Sequence, residues 1–165
     1  MTEGLAAQAL RLCREKGLTV AAAESCTGGM IASRITGVPG ASQVFLGGVV
    51  SYTNGVKEQV LHVPGSLLTL CGAVSAPVAR AMAMGVRLLT GADIAVAVTG
   101  LAGPDGDDRG NPVGTVFVAL SAGTELQVRQ LALTGSREDI RRQSTDNALE
   151  MICSCAACAE EKIKE

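Results

Sequence analysis

The chain has 165 residues, of which 47% are hydrophobic and 18% charged, and this balance excludes an intrinsically disordered protein. Because aromatic residues make up only 2% and the formal net charge is −2, the basic, ring-lined groove of a nucleic-acid-binding protein is not expected. No apolar run reaches the roughly 18–20 residues that span a bilayer, and no signal-peptide core opens the chain, so we expect a soluble, cytoplasmic protein that binds no membrane.

The hydrophobic patterns along the chain alternate between the spacing of helices and that of strands. They predict, in chain order, a helix over 3–16, a buried strand over 18–23, a helix over 27–36, a strand over 44–53, a short helix over 54–61, a helix over 74–91, a buried strand over 93–100, two hairpin strands joined by residues 122–124, and a helix from 136 onward. The residues suited to helix ends are Gly17 and Gly91 as terminators and Asn54, Ser75 and Ser136 as N-caps, the last in a capping box with Asp139. This order predicts an α/β fold: a single-domain, three-layer α/β/α sandwich over residues 1–165 with a mixed, partly parallel sheet.

The stretch ESCTGG joins a predicted buried strand to a predicted helix. Side chains at such a turn lie at the carboxyl edge of the sheet, where α/β proteins bind ligands. Ser25 and Cys26 are therefore candidate nucleophiles, and Gly28 and Gly29 leave backbone N–H groups accessible to an anion or a developing oxyanion. The alternative is that Ser25 or Thr27 simply caps the helix.

A nucleophilic hydroxyl needs a base, and the sequence offers two kinds. The one histidine, His62, has no obvious carboxylate partner and is interpreted as a surface or packing residue. Lys57 follows Tyr52 in the motif SYTNGVK and can act as a base if burial or a nearby cation lowers its pKa. The alternatives are a solvated helix lysine and a tyrosine packed in the core.

Two further segments carry polar groups that suit a ligand. The loop LAGPDGDDRGNP follows a buried strand at the same predicted sheet edge, and it either wraps a polar ligand or simply connects two strands. Asp107, Asp108 and Arg109 in this loop are given no role. Arg141 and Arg142 lie near the start of the last helix, as either an exposed pair or a clamp for a phosphate or carboxylate.

The six cysteines are expected to be reduced, because the chain is large and apolar and shows no sign of secretion. The tail CSCAAC resembles a metal or cluster motif, yet on a helix Cys155 and Cys158 share a face that Cys153 does not. With no second cysteine pair and the histidine distant in sequence, these residues are interpreted as small apolar groups near a helix end. No metal or other cofactor is expected.

Several stretches taken together resemble the CinA C-terminal domain family: AAAESCTGG, GGVVSYTNGVK, GAVSAPVARAMAMG, VTGLAGPDG followed by NPVGTVFVAL, and IRRQSTDNAL. They cover residues 5–152 in unbroken order. The resemblance implies a nicotinamide mononucleotide deamidase of the stand-alone, PncC-like form, which hydrolyses the carboxamide of its substrate to give nicotinate mononucleotide and ammonia. It also implies a serine–lysine dyad without metal and, by analogy, a homo-oligomer, a dimer or larger.

The same resemblance implies roles for particular residues: Ser25 is the nucleophile, Lys57 the base, and Tyr52 a third polar partner. The implied substrate pocket includes Glu24, Cys26, Thr27, Thr99, Gly103, Pro104 and Asp105, the backbone of Gly28 and Gly29, and a phosphate-binding arginine, Arg142 in preference to Arg141. Two other interpretations stay open. One is a nucleotide-binding or competence- and damage-related partner-binding module without hydrolysis; the other is a metal-binding redox protein built on the cysteines.

Overall fold

The computed structural model describes residues 3–161 and contains six α-helices and five β-strands in that range. The helices are α1 (Leu5–Lys16), α2 (Met30–Thr36), α3 (Asn54–Leu61), α4 (Gly65–Cys71), α5 (Ala76–Thr90) and α6 (Arg137–Cys158). The strands are β1 (Val20–Glu24), β2 (Phe45–Val50), β3 (Ile94–Gly100), β4 (Thr115–Ala122) and β5 (Glu125–Ala132). A short 3₁₀ turn, Ala41–Gln43, precedes β2.

The five strands form one mixed sheet in the order β2-β1-β3-β4-β5. Strand β1 pairs in parallel with both β2 and β3, whereas β4 pairs antiparallel with β3 and β5. Strands β1 and β3 are continuous runs of small, mostly apolar residues, because helices cover both of their faces. The carboxyl ends of β1, β2 and β3 consequently lie side by side at one end of the sheet.

Helices cover the sheet in two layers, each with its own core. Helices α1, α2 and α6 pack on one face around residues such as Ile31 and Leu149, and α3, α4 and α5 pack on the other around Leu61 and Met82. Alanine and valine dominate both cores, which lets the helices approach the sheet closely. Helix α5 lies so near the end of α3 that a Cβ on Gly85 would be 2.0 Å from the Leu61 carbonyl oxygen.

This architecture confirms the predicted three-layer α/β/α sandwich with a mixed, partly parallel sheet. The predicted capping box at the start of α6 is also confirmed, because the Ser136 hydroxyl accepts from the Asp139 N–H and the Asp139 carboxylate accepts from the Ser136 N–H. The predicted cap of α3 is wrong by one residue. Thr53, not Asn54, is the N-cap, since its side chain accepts a hydrogen bond from the Val56 N–H.

Three other details differ from the sequence patterns. The hairpin loop contains Gly123 and Thr124 alone, because β4 extends through Ala122. Ser75 is the N-cap of α5 by position, but its hydroxyl donates to the Gly72 carbonyl oxygen instead of capping the helix. Helix α4 escapes prediction because its N-cap, Pro64, has no capping side chain and its seven residues are too few for a clear helical repeat.

Candidate functional site

Two serines lie side by side where the parallel strands β1 and β2 end. Ser25 follows β1, and its backbone N–H donates to the Val98 carbonyl oxygen of β3 at 2.9 Å. Ser51 follows β2, and its N–H donates to the Glu24 carbonyl oxygen at 2.8 Å. The ladder that pairs Glu24 with Val50 therefore continues by one step, so the two serines occupy neighbouring positions on adjacent strands.

Lys57 lies against both serines from helix α3. Its Nζ donates to Ser25 Oγ at 3.2 Å and to the Ser51 carbonyl oxygen at 2.8 Å. The residue is only 1% exposed, and burial, which penalises the charged ammonium, lowers the pKa of Lys57 to about 8. About one amine in ten is then neutral at pH 7, compared with fewer than one in a thousand for a lysine in water. The solvated-lysine alternative is excluded, and this amine is able to accept a proton from Ser25.

The rival nucleophile, Cys26, is in an unfavourable environment for reaction. Burial raises the pKa of its thiol to about 11, although Arg141 and Lys57 act in the opposite direction. The thiolate is the nucleophilic form of cysteine, and at neutral pH this thiol is almost entirely protonated. Ser25, whose hydroxyl is hydrogen-bonded to the amine, is the better-placed nucleophile.

Glu24 caps the start of helix α2. Its carboxylate accepts hydrogen bonds from the backbone N–H groups of Gly29, Ile31 and Ala32, at 2.9–3.1 Å. These groups are the free donors with which a helix N-terminus otherwise binds an anion. The structure therefore gives the Glu24 carboxylate and the Gly29 N–H a role in capping α2, and their predicted contacts with substrate stay predictions.

The turn after Ser25 has two backbone N–H groups that remain available to a ligand, those of its first two residues. The N–H of Gly28 donates to the Ser25 carbonyl oxygen at 3.0 Å, so this donor is already engaged within the turn. Within residues 3–161, by contrast, the N–H groups of Cys26 and Thr27 have no acceptor. Arg141 holds this turn in place, because its Nε donates to the Cys26 carbonyl oxygen and its Nη2 to that of Thr27, both at 3.0 Å.

A cavity of about 260 Å³ opens beside Ser25 and Lys57. Its volume is close to the lower end of the range of roughly 300–1,000 Å³ typical of small-ligand sites. The other functional candidates on its wall are Cys26, Tyr52, Thr99, Gly103, Asp105 and Arg137. The sequence predicts all of these except Arg137. The predicted Pro104 and Thr27 are not on the wall: Pro104 is exposed, and the Thr27 side chain is fully buried.

Arg137, the first residue of α6, brings a positive charge to this cavity. Its guanidinium donates to Tyr52 Oη at 3.2 Å and also to the Gly103 carbonyl oxygen. Tyr52 is 58% exposed, which excludes the alternative of a tyrosine packed in the core. One sequence signal could have drawn attention to Arg137: the Ser136–Asp139 capping box marks Arg137 as a residue of the first helical turn. The sequence does not show, however, that this turn lies beside the cavity.

The two arginines predicted to meet a phosphate lie elsewhere. Arg142, the preferred one, pairs with Asp139 at 2.9 Å on the exposed side of α6. The guanidinium of Arg141 donates its hydrogen bonds to the backbone carbonyl oxygens of the turn after Ser25. Neither arginine lines the cavity, and their predicted contact with a phosphate stays a prediction. Arg137 is the first residue of α6, whereas Arg141 and Arg142 lie more than one helical turn further along it, so Arg137 alone of the three projects from the first turn.

The remaining candidates lie outside this site. His62 ends α3 in the left-handed backbone region (φ 55°), is exposed, and lines a separate apolar groove of about 450 Å³ between α3, α4 and α5. Between residues 3 and 161, no group of three or more His, Cys, Asp or Glu side chains is arranged to hold a metal ion, and the six cysteines are free thiols. In the same part of the chain, no helix combines the length and hydropathy needed to cross a bilayer.

Together these features define a class: a three-layer α/β/α protein whose mixed sheet carries a serine–lysine pair in a cavity at the carboxyl end of its parallel strands. The model of the CinA C-terminal domain matches residues 2–156, and the chain belongs to this family.

Similar proteins agree with this assignment. A CinA-like protein of Geobacter sulfurreducens is 53% identical over 142 residues, which are 86% of this chain and 34% of the relative. The chain thus spans about a third of the length of the curated relatives it matches. The crystal structure of competence damage-inducible protein A from Klebsiella pneumoniae is 31% identical with a TM-score of 0.92, covering 94% of this chain and 97% of that one. Competence/damage inducible protein CihA from Agrobacterium tumefaciens is 38% identical with a TM-score of 0.85, covering 93% and 97%.

Proposed function

We propose that this domain is an amidohydrolase that converts nicotinamide mononucleotide and water to nicotinate mononucleotide and ammonia. The observation that carries the proposal is the 3.2 Å hydrogen bond between Lys57 Nζ and Ser25 Oγ, made by an amine that is 1% exposed. A hydroxyl paired with a partly neutral buried amine is the arrangement required for acyl transfer by a serine. The choice of substrate rests on the resemblance of the sequence to the CinA family.

The reaction begins with acylation of Ser25. Neutral Lys57 accepts the hydroxyl proton while Oγ attacks the carboxamide carbon, and the carbonyl π electrons move onto oxygen. When the tetrahedral intermediate collapses, the C–N bond breaks and the Lys57 ammonium gives its proton to the leaving NH₂ group, which departs as ammonia. Lys57 then deprotonates a water molecule that attacks the ester, and the C–Oγ bond breaks as Ser25 recovers its proton.

The negative charge of the tetrahedral intermediate needs hydrogen-bond donors. The N–H groups of Cys26 and Thr27 are suited to this role, because they follow the nucleophile directly and have no acceptor among the described residues. Arg141 keeps their turn in one conformation through the two carbonyl oxygens it contacts. Removing one donor of this kind typically costs about 3 kcal/mol of barrier.

The phosphate of the substrate needs a cation, and Arg137 is the arginine on the cavity wall. A guanidinium presents a planar fork of donors that matches phosphate oxygens. The hydrogen bond from Arg137 to Tyr52 Oη holds this fork in place. In this proposal Tyr52 is therefore a positioning residue for Arg137.

Incubation of the purified chain with nicotinamide mononucleotide tests the function by release of ammonia. We expect one ammonia for each nicotinate mononucleotide formed, and much less from free nicotinamide or from the dinucleotide. Ser25→Ala should abolish turnover, whereas Cys26→Ala should retain it, because the Cys26 thiol stays protonated. A correctly folded chain that releases no ammonia, or a Ser25→Ala variant with normal activity, would contradict the proposal.

A second candidate function is a nucleotide-binding or partner-binding module that does not hydrolyse its ligand. The names of the similar structures favour it, since they refer to competence and damage and not to a reaction. Titration calorimetry separates the two functions. Binding of nicotinamide mononucleotide without ammonia release supports the module, and turnover supports the enzyme.

We also propose that the chain forms a homo-oligomer. Several large apolar side chains on the outer faces of α4 and α5 are exposed, among them Leu70 at 75%, Leu88 at 81% and Leu89 at 54%. Leu88 and Leu89 also line the apolar groove between α3, α4 and α5, and exposed apolar surface at such a groove is typical of protein–protein contacts. Size-exclusion chromatography with light scattering should give a multiple of 16.8 kDa, and a mass of 16.8 kDa at micromolar concentration would contradict the proposal.

A further inference from the structure

The hydroxyl of Ser51 is a buried polar group that the serine–lysine pair does not use. Ser51 is 0% exposed, and its Oγ has no hydrogen-bond partner within the part of the chain that the structure describes. A buried hydroxyl without a partner loses its hydrogen bonds to water and gains none in the protein, so it destabilises the fold. Such a group in a folded protein calls for an explanation, and a role in the reaction is one that its location supports.

The strand register directs Ser51 toward the helix that carries the base. Side chains alternate between the two faces of a strand, so Ser25 and Ser51 lie on the same face as the residues two positions earlier. These are Ala23 and Val49, which are paired across β1 and β2 and pack in the core under α3, α4 and α5. Both hydroxyls are therefore on the α3 side of the sheet, where Lys57 lies.

The hydrogen-bond requirements of a lysine acting as base identify what the site still needs. A neutral amine has two N–H groups and one lone pair, and the lone pair must face the Ser25 proton. Both N–H groups must then donate to other acceptors. The Ser51 carbonyl oxygen, 2.8 Å from Nζ, serves one of them. The second N–H needs another acceptor close by.

The Ser51 hydroxyl makes no hydrogen bond to Lys57 in the structure, so this contact requires its Oγ to rotate toward Nζ. Covalent geometry keeps a serine Oγ within about 5 Å of its own carbonyl oxygen, and that oxygen already contacts Nζ. The hydroxyl also moves between three staggered χ1 positions by simple rotation.

We infer that the Ser51 hydroxyl is a positioning group that accepts the second N–H of neutral Lys57 and so points the lone pair at Ser25. The inference rests on the proposed function and adds a third residue to the dyad. Ser51 forms no bond to substrate and gains no net proton. When Lys57 is an ammonium, the carbonyl and hydroxyl oxygens of Ser51 each accept a hydrogen bond from one of its three N–H groups. The third N–H then faces the leaving group.

A matched pair of variants tests the hydroxyl separately from the shape of the side chain. Ser51→Thr and Ser51→Val add the same volume, but only threonine keeps the hydroxyl. We expect Ser51→Val to lower kcat for ammonia release about tenfold with an unchanged KM, the effect of one lost hydrogen bond, and Ser51→Thr to stay within about threefold of wild type. Ser51→Ala, which adds no volume, should match Ser51→Val and covers the case in which the larger side chains do not fold.

Ser144→Ala is the control for loss of a buried hydroxyl elsewhere. Ser144 is also 0% exposed, but its hydroxyl donates to the Ile140 carbonyl oxygen within α6. This variant should lower the melting temperature and leave kcat within about threefold of wild type. Equal losses of kcat in Ser144→Ala and Ser51→Ala would overturn the inference, because the effect would then be one of stability.

A second readout separates this inference from the proposed function. A fluorophosphonate probe phosphonylates an activated serine without any nucleotide: Oγ forms a bond to phosphorus, the P–F bond breaks and fluoride leaves. The rate of Ser25 labelling therefore reports on Lys57 directly. We expect Ser51→Ala to slow labelling about tenfold. The pH midpoint of the labelling rate should also move downward, because a hydrogen-bond acceptor stabilises the charged ammonium more than the neutral amine, and its loss lowers the pKa of Lys57. Cys26, the other titratable group that acts on Lys57, has a pKa of about 11 and stays protonated from pH 6 to 9.

Each outcome of the labelling experiment leads to a definite conclusion. A wild-type chain that is labelled but releases no ammonia contradicts the nucleotide substrate, while the comparison of labelling rates still tests Ser51. Labelling of Ser51→Ala at the wild-type rate, with an unchanged pH profile, overturns the role of the hydroxyl. Failure to label the wild-type chain overturns it as well, because Ser25 is then not activated.

Discussion

The two ends of the sheet are built from the same small apolar strands, yet they treat their polar groups differently. At the carboxyl end of β1 and β2, Lys57 is buried with a lowered pKa and the Ser51 hydroxyl has no partner among the described residues. At the opposite end, Asp93 accepts from the Thr19 N–H at 2.9 Å and the Thr19 hydroxyl at 2.8 Å, and the Thr19 hydroxyl accepts from the Asp93 N–H at 3.1 Å. The Thr19–Asp93 pair satisfies the hydrogen-bonding groups it brings together, as stability requires, whereas a buried amine of lowered pKa beside a nucleophile marks the site.

Cavity size does not distinguish the two ends in the same way. The opposite end has the larger cavity, about 530 Å³, and its wall includes Asp93, Cys155 and Cys158. The 260 Å³ cavity is smaller but contains a nucleophile, a base and a cation together. The chemistry of the lining therefore identifies the functional end, and the following variants test this difference.

Loss of the amine at the functional end should have the largest effect. Lys57→Met keeps the length of the side chain but removes the base, and we expect kcat for ammonia release to fall about a thousandfold. The melting temperature should stay equal or rise, because a buried polar group is replaced by an apolar one. Lys16→Met at the end of α1 is the control and should keep full activity. Activity of Lys57→Met within tenfold of wild type would show that lysine is not the base.

The same amine should make stability depend on pH. Its pKa is about 8 in the folded chain and 10.5 in the reference state, so the unfolded chain binds more protons between these values. The destabilisation of about 3 kcal/mol is complete below pH 8 and disappears as the pH rises toward 10.5. We therefore expect the free energy of unfolding of wild type, minus that of Lys57→Met, to increase by up to about 3 kcal/mol over this range in urea titrations.

The difference between the two proteins is the quantity to measure, because cysteines titrate in the same range. Burial raises the pKa of Cys13 to about 12 and that of Cys26 to about 11, which lowers stability above pH 9. The effect of Cys13 is the same in wild type and in Lys57→Met, so it cancels in the subtraction. Cys26 interacts with Lys57, so both proteins are compared in a Cys26→Ala background. A difference that does not vary with pH would mean that Lys57 is not held with a lowered pKa.

The cation at the functional end should affect substrate binding more than the reaction step. Arg137→Met removes the guanidinium from the cavity wall, and we expect KM for nicotinamide mononucleotide to rise about 10- to 100-fold, with kcat changed less. Arg142→Met removes an equivalent charge one turn later, from an exposed pair with Asp139, and should leave KM within about twofold. A larger effect of Arg142→Met than of Arg137→Met would restore the assignment made from the sequence.

The opposite end should respond in stability and not in activity. Thr19→Val keeps the shape of the side chain but removes the hydroxyl that exchanges hydrogen bonds with Asp93. We expect the free energy of unfolding to fall by about 1–2 kcal/mol, as for a lost buried hydrogen bond, with kcat and KM unchanged. A fall in kcat without a loss of stability would contradict the division between the two ends.

Much of the fold was predictable because its signals are local. Gly17 adopts the left-handed conformation (φ 68°) that ends α1, and the Ser136–Asp139 capping box begins α6, as their residue types indicate. The short helix α4 carries no such signal, since neither its seven residues nor its N-cap Pro64 distinguishes it from a loop. Local signals also place Ser25 directly after a strand and Lys57 on the helix that follows the next strand.

By itself, the sequence determined the alternation of helices and strands, the α/β class and the nucleophile-bearing turn, because hydrophobic period and capping chemistry act over a few neighbouring residues. The tertiary structure decided the rest. It brought together Ser25 and Lys57, which are 32 residues apart, and assigned Arg137 to the cavity in place of Arg142. It also gave the amine its pKa, because desolvation depends on what packs around a side chain and not on its neighbours in the chain.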